Sequence, residues 1–243
     1  MATISRRELL KAATLLPAAG AVAATAPITF VPRTMPSAGG NPPDYAAPSQ
    51  GFLTAEERAF VEAAIARIIP SDDLGPGAKE AGVADFIDRQ LAGPYGAAET
   101  WYMQGPWAQG TEQQGYQLRL SPAQLYRAAI RGIRAELGKT QGGKSLADLD
   151  AASQDAFLHA LEKGDVKIPG DLGKHFFEML VTNTVEGFLA DPIYGGNRDF
   201  IGWKLIGFPG PRYNYVAEID QFGRKYDMPF VSVAGRDAGV KGA

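Results

Sequence analysis

The chain has 243 residues, 45% hydrophobic and 21% charged, which are ordinary globular proportions for one large domain or two small ones. It contains no cysteine, and this excludes disulfides, thiolate zinc sites, iron–sulfur clusters and covalently attached c-type haem. The 24 basic and 27 acidic residues are spread along the sequence and give a net charge of −3. No basic patch suited to a phosphate backbone is evident, so we expect no nucleic-acid partner.

Residues 1–30 resemble a twin-arginine export signal. Arg6 and Arg7 form the basic pair, and a weakly apolar run over residues 12–30 follows, with small residues near its end that suit cleavage. The usual pattern is S-R-R-x-F-L-K, and here Leu9 replaces the phenylalanine. An amphipathic cytosolic helix or a retained anchor fits less well, because basic region, apolar run and small-residue exit occur in order. The resemblance implies the twin-arginine translocase as a partner and a mature chain in the periplasm.

Residues 31–51 are predicted to be a linker, because five prolines and three glycines oppose regular structure there. The remaining residues, 52–243, are predicted to form one domain. Neither strand pairs nor internal repeats are evident in it.

Helical spacing of apolar residues predicts five helices in this domain. The first begins after Thr54 and ends at Pro70, and the second spans about 78–91. The third begins at Ser121–Pro122 and breaks at Gly138, the fourth follows Asp150 or Ser153 and stops at Gly164, and the fifth spans about 171–189. In the last of these, Phe176, Phe177 and Val185 are among the residues expected to face inward. From 191 onwards we expect no amphipathic helix. The expected fold is therefore mainly α, a small core of about five helices with long irregular arms that wrap a partner subunit.

Residues 93–118 carry five tyrosine and tryptophan side chains but follow neither a helical nor a strand period. Long loops inside a compact domain are uncommon and are usually functional or bound to a partner. We therefore expect this segment to present a binding surface.

Candidate catalytic groups do not form a recognisable site. His159 and His175 lack metal-ligand spacing and are predicted to lie on helix surfaces or at helix ends. The glycines of 75–77 follow a helix instead of a strand, which argues against dinucleotide binding. Asp72 and Asp73 are more typical of a turn than of an acid–base pair. We accordingly predict no catalytic, cofactor-binding or metal-binding residue in this chain.

The most specific stretch runs from Asp191 to Gly210. Gly195, Gly196 and Asn197 predict a tight turn with positive φ, and Trp203 is a large anchor beside Gly202. A row of anchors without internal period suits docking onto another surface. A loop packed against its own helices explains the composition equally well. The predicted docking residues are Asp191, Pro192, Tyr194, Gly195, Gly196, Asn197, Gly202, Trp203, Lys204, Gly207, Pro209 and Gly210.

The run D-P-x-Y-G-G-N…G-W-K-x-I-G-F-P-G over 191–210 resembles the small-subunit family of gluconate 2-dehydrogenases, also found in fructose and FAD-dependent glucose dehydrogenases. Upstream, Ile69–Pro70, Gly77–Ala78 and residues 87–91 (I-D-R-Q-L) agree with it, and the resemblance covers about residues 50–215.

The resemblance implies a non-catalytic subunit that binds a FAD-dependent large subunit, in some complexes with a multihaem cytochrome c subunit. FAD is then expected in the large subunit and haem c in the third, with no cofactor in this chain. Such small subunits also carry a folded large subunit through the export route, so the complex is expected at the periplasmic side of the inner membrane. Replacing Trp203 is expected to loosen the complex more than it destabilises the helices.

A second interpretation is a free-standing periplasmic enzyme or sugar-binding module. In that case Asp72, Asp73, Trp101 and Trp107 line a pocket, because carboxylates and aromatic faces both suit sugars.

Overall fold

The computed structural model describes residues 51–108, 110–212, 214–224, 226 and 228–234. The predicted signal with Arg6 and Arg7, and the predicted linker up to residue 50, lie outside these ranges.

The described residues contain seven α-helices and no β-strand. The helices are α1 (Ala55–Ile68), α2 (Val83–Ala92), α3 (Pro94–Ala97), α4 (Pro122–Thr140), α5 (Ala151–Lys163), α6 (Leu172–Leu189) and α7 (Ile201–Ile206). Short 3-10 turns lie at Glu112–Gln114, Leu146–Asp148, Pro169–Asp171, Pro192–Tyr194, Arg198–Phe200 and Val216–Glu218. Since α1, α2, α4, α5 and α6 each have ten or more residues, the prediction of a mainly α fold with about five helices is confirmed.

Helix ends follow the capping signals in the sequence. The Thr54 hydroxyl accepts a hydrogen bond from the Glu57 backbone at 3.2 Å, and the Glu57 carboxylate accepts one from the Thr54 backbone at 2.9 Å. This reciprocal pair satisfies amide groups that have no partner inside the first turn of α1. The Asp150 side chain caps α5 by accepting from the Ser153 backbone at 3.0 Å, and Gly164 ends that helix in the left-handed region with φ of 76°.

Two predicted boundaries were wrong, and one helix after residue 191 was missed. Helix α2 begins at Val83 instead of residue 78, because the chain first makes a turn that ends at Gly82 with φ of 72°. Helix α4 continues through Gly138 to Thr140, since one glycine weakens a helix without ending it. The short helix α7 was not expected, because six residues are too few to display a helical period.

Helix α6 lies at the centre of the core and packs against α1, α2, α4, α5 and α7. The fully buried ring of Phe176 lies 6.0 Å from the ring of Phe60 and 5.1 Å from that of Tyr126, measured between centroids. Phe177 and Val185, which were expected to face inward, are only half-buried. The buried stripe of α6 is therefore narrower than the apolar composition of the helix indicates.

A polar link crosses this core. The Asn183 side chain donates to the Tyr126 hydroxyl and accepts from the Tyr95 hydroxyl, each at 3.0 Å. Burial raises the pKa of Tyr126, so its phenol stays protonated in the core. The link ties α3 and α4 to α6.

None of the helices in the described part of the chain combines the length and the apolar composition that crossing a bilayer requires.

Candidate partner-docking site

The turn after α6 is organised by the buried side chain of Asn197. Its amide nitrogen donates to the Ala190 carbonyl and its amide oxygen accepts from the Gly202 backbone, both at 2.8 Å. Gly195 and Asn197 have positive φ, of 102° and 48°, as the sequence predicts, whereas Gly196 does not. Asn197 thereby joins the end of α6 to the start of α7.

Two glycines, one in this turn and one in α7, allow both the turn and α7 to lie directly on the backbone of α6. A Cβ on Gly196 would overlap the Gly187 carbonyl oxygen, and one on Gly202 would overlap the Phe188 carbonyl oxygen. Close backbone approach is therefore the reason for glycine at both positions.

Trp203 lies inside the chain's own core and has only 4% of its surface exposed. Its indole N–H donates to the Leu189 carbonyl at 2.7 Å, and its ring lies 5.5 Å from the Phe200 ring and 5.0 Å from the Phe208 ring. In this structure Trp203 is an anchor for α7 on α6. A docking role for its side chain stays a prediction, and it requires that side chain to act indirectly.

The twelve predicted docking residues divide between the interior and the surface of the chain. Gly196, Asn197, Gly202, Trp203 and Gly210 are buried, whereas Asp191, Pro192, Tyr194, Gly195 and Pro209 are half-buried. Lys204 and Gly207 are exposed. Ile206 and Phe208, which are not among the twelve, are large apolar side chains of the same run and are also exposed.

The upstream part of the sequence motif contacts this segment. The guanidinium of Arg89 donates to the Ile193 carbonyl at 3.5 Å, and Arg198 donates from its backbone to the Ala81 carbonyl at 2.9 Å. The Arg198 side chain also pairs with Asp85 at 3.1 Å. Helix α2, which contains residues 87–91, and the 191–210 run are therefore in contact although they are distant in sequence.

The chain beyond Gly210 folds back onto the same unit. The Val231 backbone donates to the Pro209 carbonyl at 3.1 Å, and Asp191 accepts from the Ser232 hydroxyl at 2.7 Å and the Val233 backbone at 2.9 Å. We call residues 211–229 the arm loop; its residues 213, 225 and 227 lie outside the described part. The sequence analysis did not find this closure, because no local pattern reports a contact across so many residues.

Exposed large apolar side chains concentrate in this region. Those between residues 206 and 233 are Ile206, Phe208, Tyr215, Val216, Ile219, Phe222, Met228 and Val233. Elsewhere in the described ranges only Leu74 and Tyr102 are comparable. Concentrated apolar exposure of this kind marks surfaces that bind other molecules.

The sequence matches the family described as gluconate 2-dehydrogenase subunit 3 over residues 55–210. The chain belongs to this family. The match includes α1 to α7 and ends where the arm loop begins. No curated protein and no solved structure matches the chain.

In this member of the subunit 3 family, the aromatic segment over residues 93–118 is only partly irregular. It contains α3 and a 3-10 turn, and the Trp101 ring packs edge-on against the rings of Tyr95 and Tyr116, at 5.9 Å and 5.3 Å. Burial raises the pKa of Tyr116 to about 12. Its hydroxyl donates to the Leu120 carbonyl at 2.7 Å. These three rings are half-buried against one another, so only part of the aromatic surface is fully exposed.

The same segment forms a surface pocket of about 460 Å³. Trp101, Trp107 and Tyr116 line it, but Asp72 and Asp73 do not. The two aspartates lie in an exposed turn between α1 and α2, where the Asp72 carboxylate accepts from the Leu74 backbone at 2.9 Å. The pocket therefore brings together the tryptophans of the sugar-binding interpretation without its carboxylates.

The two histidines of this chain lie apart from each other on helix surfaces. His159 faces Glu162 at 3.2 Å on α5, and His175 faces Glu178 at 3.9 Å on α6. Within the described residues no group of three or more histidine and carboxylate side chains is arranged to hold a metal.

The glycines of 75–77 follow α1, and the Gly77 amide donates to Glu80 at 2.9 Å and to Ser71 at 3.0 Å. That amide is thus directed at the chain's own side chains.

Proposed function

We propose that this chain is the non-catalytic small subunit of a periplasmic FAD-dependent sugar or sugar-acid dehydrogenase complex. It stabilises the flavoprotein large subunit and carries it, already folded, through the twin-arginine route. FAD belongs to the large subunit and haem c to a cytochrome subunit where one is present. The complex lies at the periplasmic face of the inner membrane through its subunit contacts.

The observation that carries the proposal is the match over residues 55–210 to a family whose description names a subunit of gluconate 2-dehydrogenase. A subunit needs a surface for its partner, and the apolar side chains exposed around α7 and on the arm loop supply one. The paired Arg6 and Arg7 are the sequence feature that supports export by the twin-arginine route.

Co-expression tests the stabilising role. The large subunit is produced with and without this chain, and periplasmic dehydrogenase activity and bound flavin are measured. We expect both to fall strongly without the chain. Equal periplasmic activity in the two cells contradicts the proposal.

The export role is tested by changing Arg6 and Arg7 together to lysine, which keeps the charge but removes the arginine pair. The large subunit is then expected to accumulate, folded and with flavin, in the cytoplasm. Arg33→Lys is the matched control, because it makes the same substitution outside the predicted signal. Normal export of the twin-lysine variant contradicts the twin-arginine route.

The second candidate, a sugar-binding module, is favoured by one observation: Trp101 and Trp107 line the same pocket. Flat tryptophan faces stack on the apolar faces of sugar rings. Calorimetric titration of the purified chain with sugars and sugar acids tests this, with Trp107→Ala as the variant that should abolish the heat. A flat titration for the unchanged chain removes this candidate.

A further inference from the structure

The arm loop is held at its base and carries its apolar side chains at its tip. At the base, Arg212 donates to the Pro229 carbonyl at 2.5 Å and to the Tyr226 hydroxyl at 3.2 Å, and the Phe230 ring stacks on the Phe200 ring with 6.0 Å between centroids. Compact loops whose ends are fastened together are often functional, because a rigid base presents the tip in a defined position.

The tip forms a ridge of three apolar side chains. The Glu218 backbone donates to the Tyr215 carbonyl, and the Gln221 backbone donates to the Glu218 carbonyl, each at 3.0 Å. The first bond belongs to the 3-10 turn Val216–Glu218, in which side chains three residues apart lie above one another, and the second closes the turn that follows. Val216, Ile219 and Phe222 follow one another at three-residue intervals along these turns, and their exposed fractions are 68%, 63% and 90%.

This ridge adds little to the stability of the chain itself. Side chains this exposed keep most of their contact with water on folding, so removing them costs the isolated chain little. Three apolar residues exposed at the tip of a fastened loop gain further burial only when a second surface covers them. The ridge therefore has the features of an interface anchor.

The charges beside the ridge indicate the kind of surface. Glu218 and Asp220 lie between the apolar residues, and Arg224 and Lys225 follow them in the sequence. Two acidic groups among the apolar side chains oppose approach of the ridge to an anionic lipid surface, which attracts clustered lysine and arginine. They suit instead an apolar groove with basic side chains at its rim.

We propose that Val216, Ile219 and Phe222 insert into an apolar groove with a basic rim on the flavoprotein large subunit. This rests on the function proposed above. It places a principal contact on the arm loop, beyond the 191–210 run, and makes α7 the support that positions the base of that loop.

The experiment measures the affinity of the purified chain for the cognate large subunit. The variant changes Val216, Ile219 and Phe222 together to serine, and Leu74→Ser is the control, because Leu74 is 59% exposed and lies in the turn between α1 and α2. We expect the triple variant to bind at least about 100-fold more weakly and the control to bind as the unchanged chain does. Thermal melting of all three proteins checks that folding is unchanged.

The outcomes separate this inference from the proposed function. If the unchanged chain binds the large subunit and the triple variant binds equally well, the ridge proposal is overturned while the subunit function stands. If the unchanged chain does not bind the large subunit at all, both are overturned. Retention of the unchanged chain on anionic vesicles, lost in the triple variant, overturns the protein groove in favour of lipid. A dimer in light scattering that the triple variant abolishes overturns it in favour of a second copy.

Discussion

The carboxylate of Asp191 accepts a hydrogen bond from the hydroxyl of Ser232, 41 residues further along the chain, at 2.7 Å. The same carboxylate accepts from the backbones of Val233 and Ile193, at 2.9 Å and 3.1 Å. One acidic side chain thus caps the start of the 3-10 turn Pro192–Tyr194 and also holds the return of the arm loop. Asp191 couples the 191–210 run to the segment that follows it.

Asp191→Ala is expected to release the return segment. Three donors lose their acceptor, and the free energy of unfolding should fall by about 1–3 kcal/mol. Amide hydrogen exchange should rise most over residues 230–234. Asp220→Ala, at the exposed tip of the loop, is the control and should change neither quantity. Unchanged exchange near Ser232 in the Asp191 variant contradicts the coupling.

Trp203→Ala is expected to destabilise the isolated chain by about 3–5 kcal/mol in urea unfolding, because it opens a cavity between α7 and α6. Trp203→Phe keeps most of the ring but leaves the Leu189 carbonyl without its donor, so a smaller loss is expected. Phe222→Ala, which removes an exposed ring, should leave stability unchanged. A Trp203→Ala variant as stable as the unchanged chain contradicts an anchoring role and restores a direct docking role.

Two glycine-to-alanine changes are expected to act in opposite directions. Gly202→Ala forces a methyl group against the Phe188 carbonyl oxygen and should separate α7 from α6, with a loss of several kcal/mol. Gly138→Ala lies within α4 with open space around it, and should stabilise the chain by about 0.5–1 kcal/mol. Thermal melting of the two variants measures the difference. Equal effects would show that backbone contact does not decide the glycine at 202.

A pH dependence is expected at the turn before α2. The Ser71 hydroxyl donates to the Glu80 carboxylate at 2.6 Å and holds the pKa of that carboxyl below its ordinary value. A lowered folded-state pKa contributes stability above the unfolded-state pKa, and that stability is lost as the pH falls through the folded-state value. Ser71→Ala should therefore raise the pKa of Glu80 in an NMR titration and destabilise the chain more at neutral pH than in acid. Ser71→Thr keeps a hydroxyl and should preserve the lowered pKa; an unchanged pKa in Ser71→Ala contradicts the assignment.

Local features of the sequence were enough to predict most of the helices. The capping box at Thr54 and Glu57, the Ser121–Pro122 start and the Gly164 stop act within one helical turn, so they can be read without knowing the fold. The family could also be predicted from local sequence, since the 191–210 run contains most of the residues that carry the resemblance. Helix α7 was missed because its six residues owe their helix to packing on α6 and not to a period of their own.

For the candidate site, the sequence determined less and the tertiary structure determined more than for the helices. The sequence by itself identified the 191–210 run as special and predicted the positive φ of Gly195 and Asn197, because backbone freedom is a local property. Only the tertiary structure decided that Trp203 faces inward and that Phe222 faces outward. Burial depends on which surfaces meet after residues far apart in sequence, such as Asp191 and Ser232, come into contact. A large aromatic residue looks the same in the sequence whether it is buried or exposed, and only the folded chain determines whether it lies in the core, as Trp203 does, or on the surface, as Phe222 does.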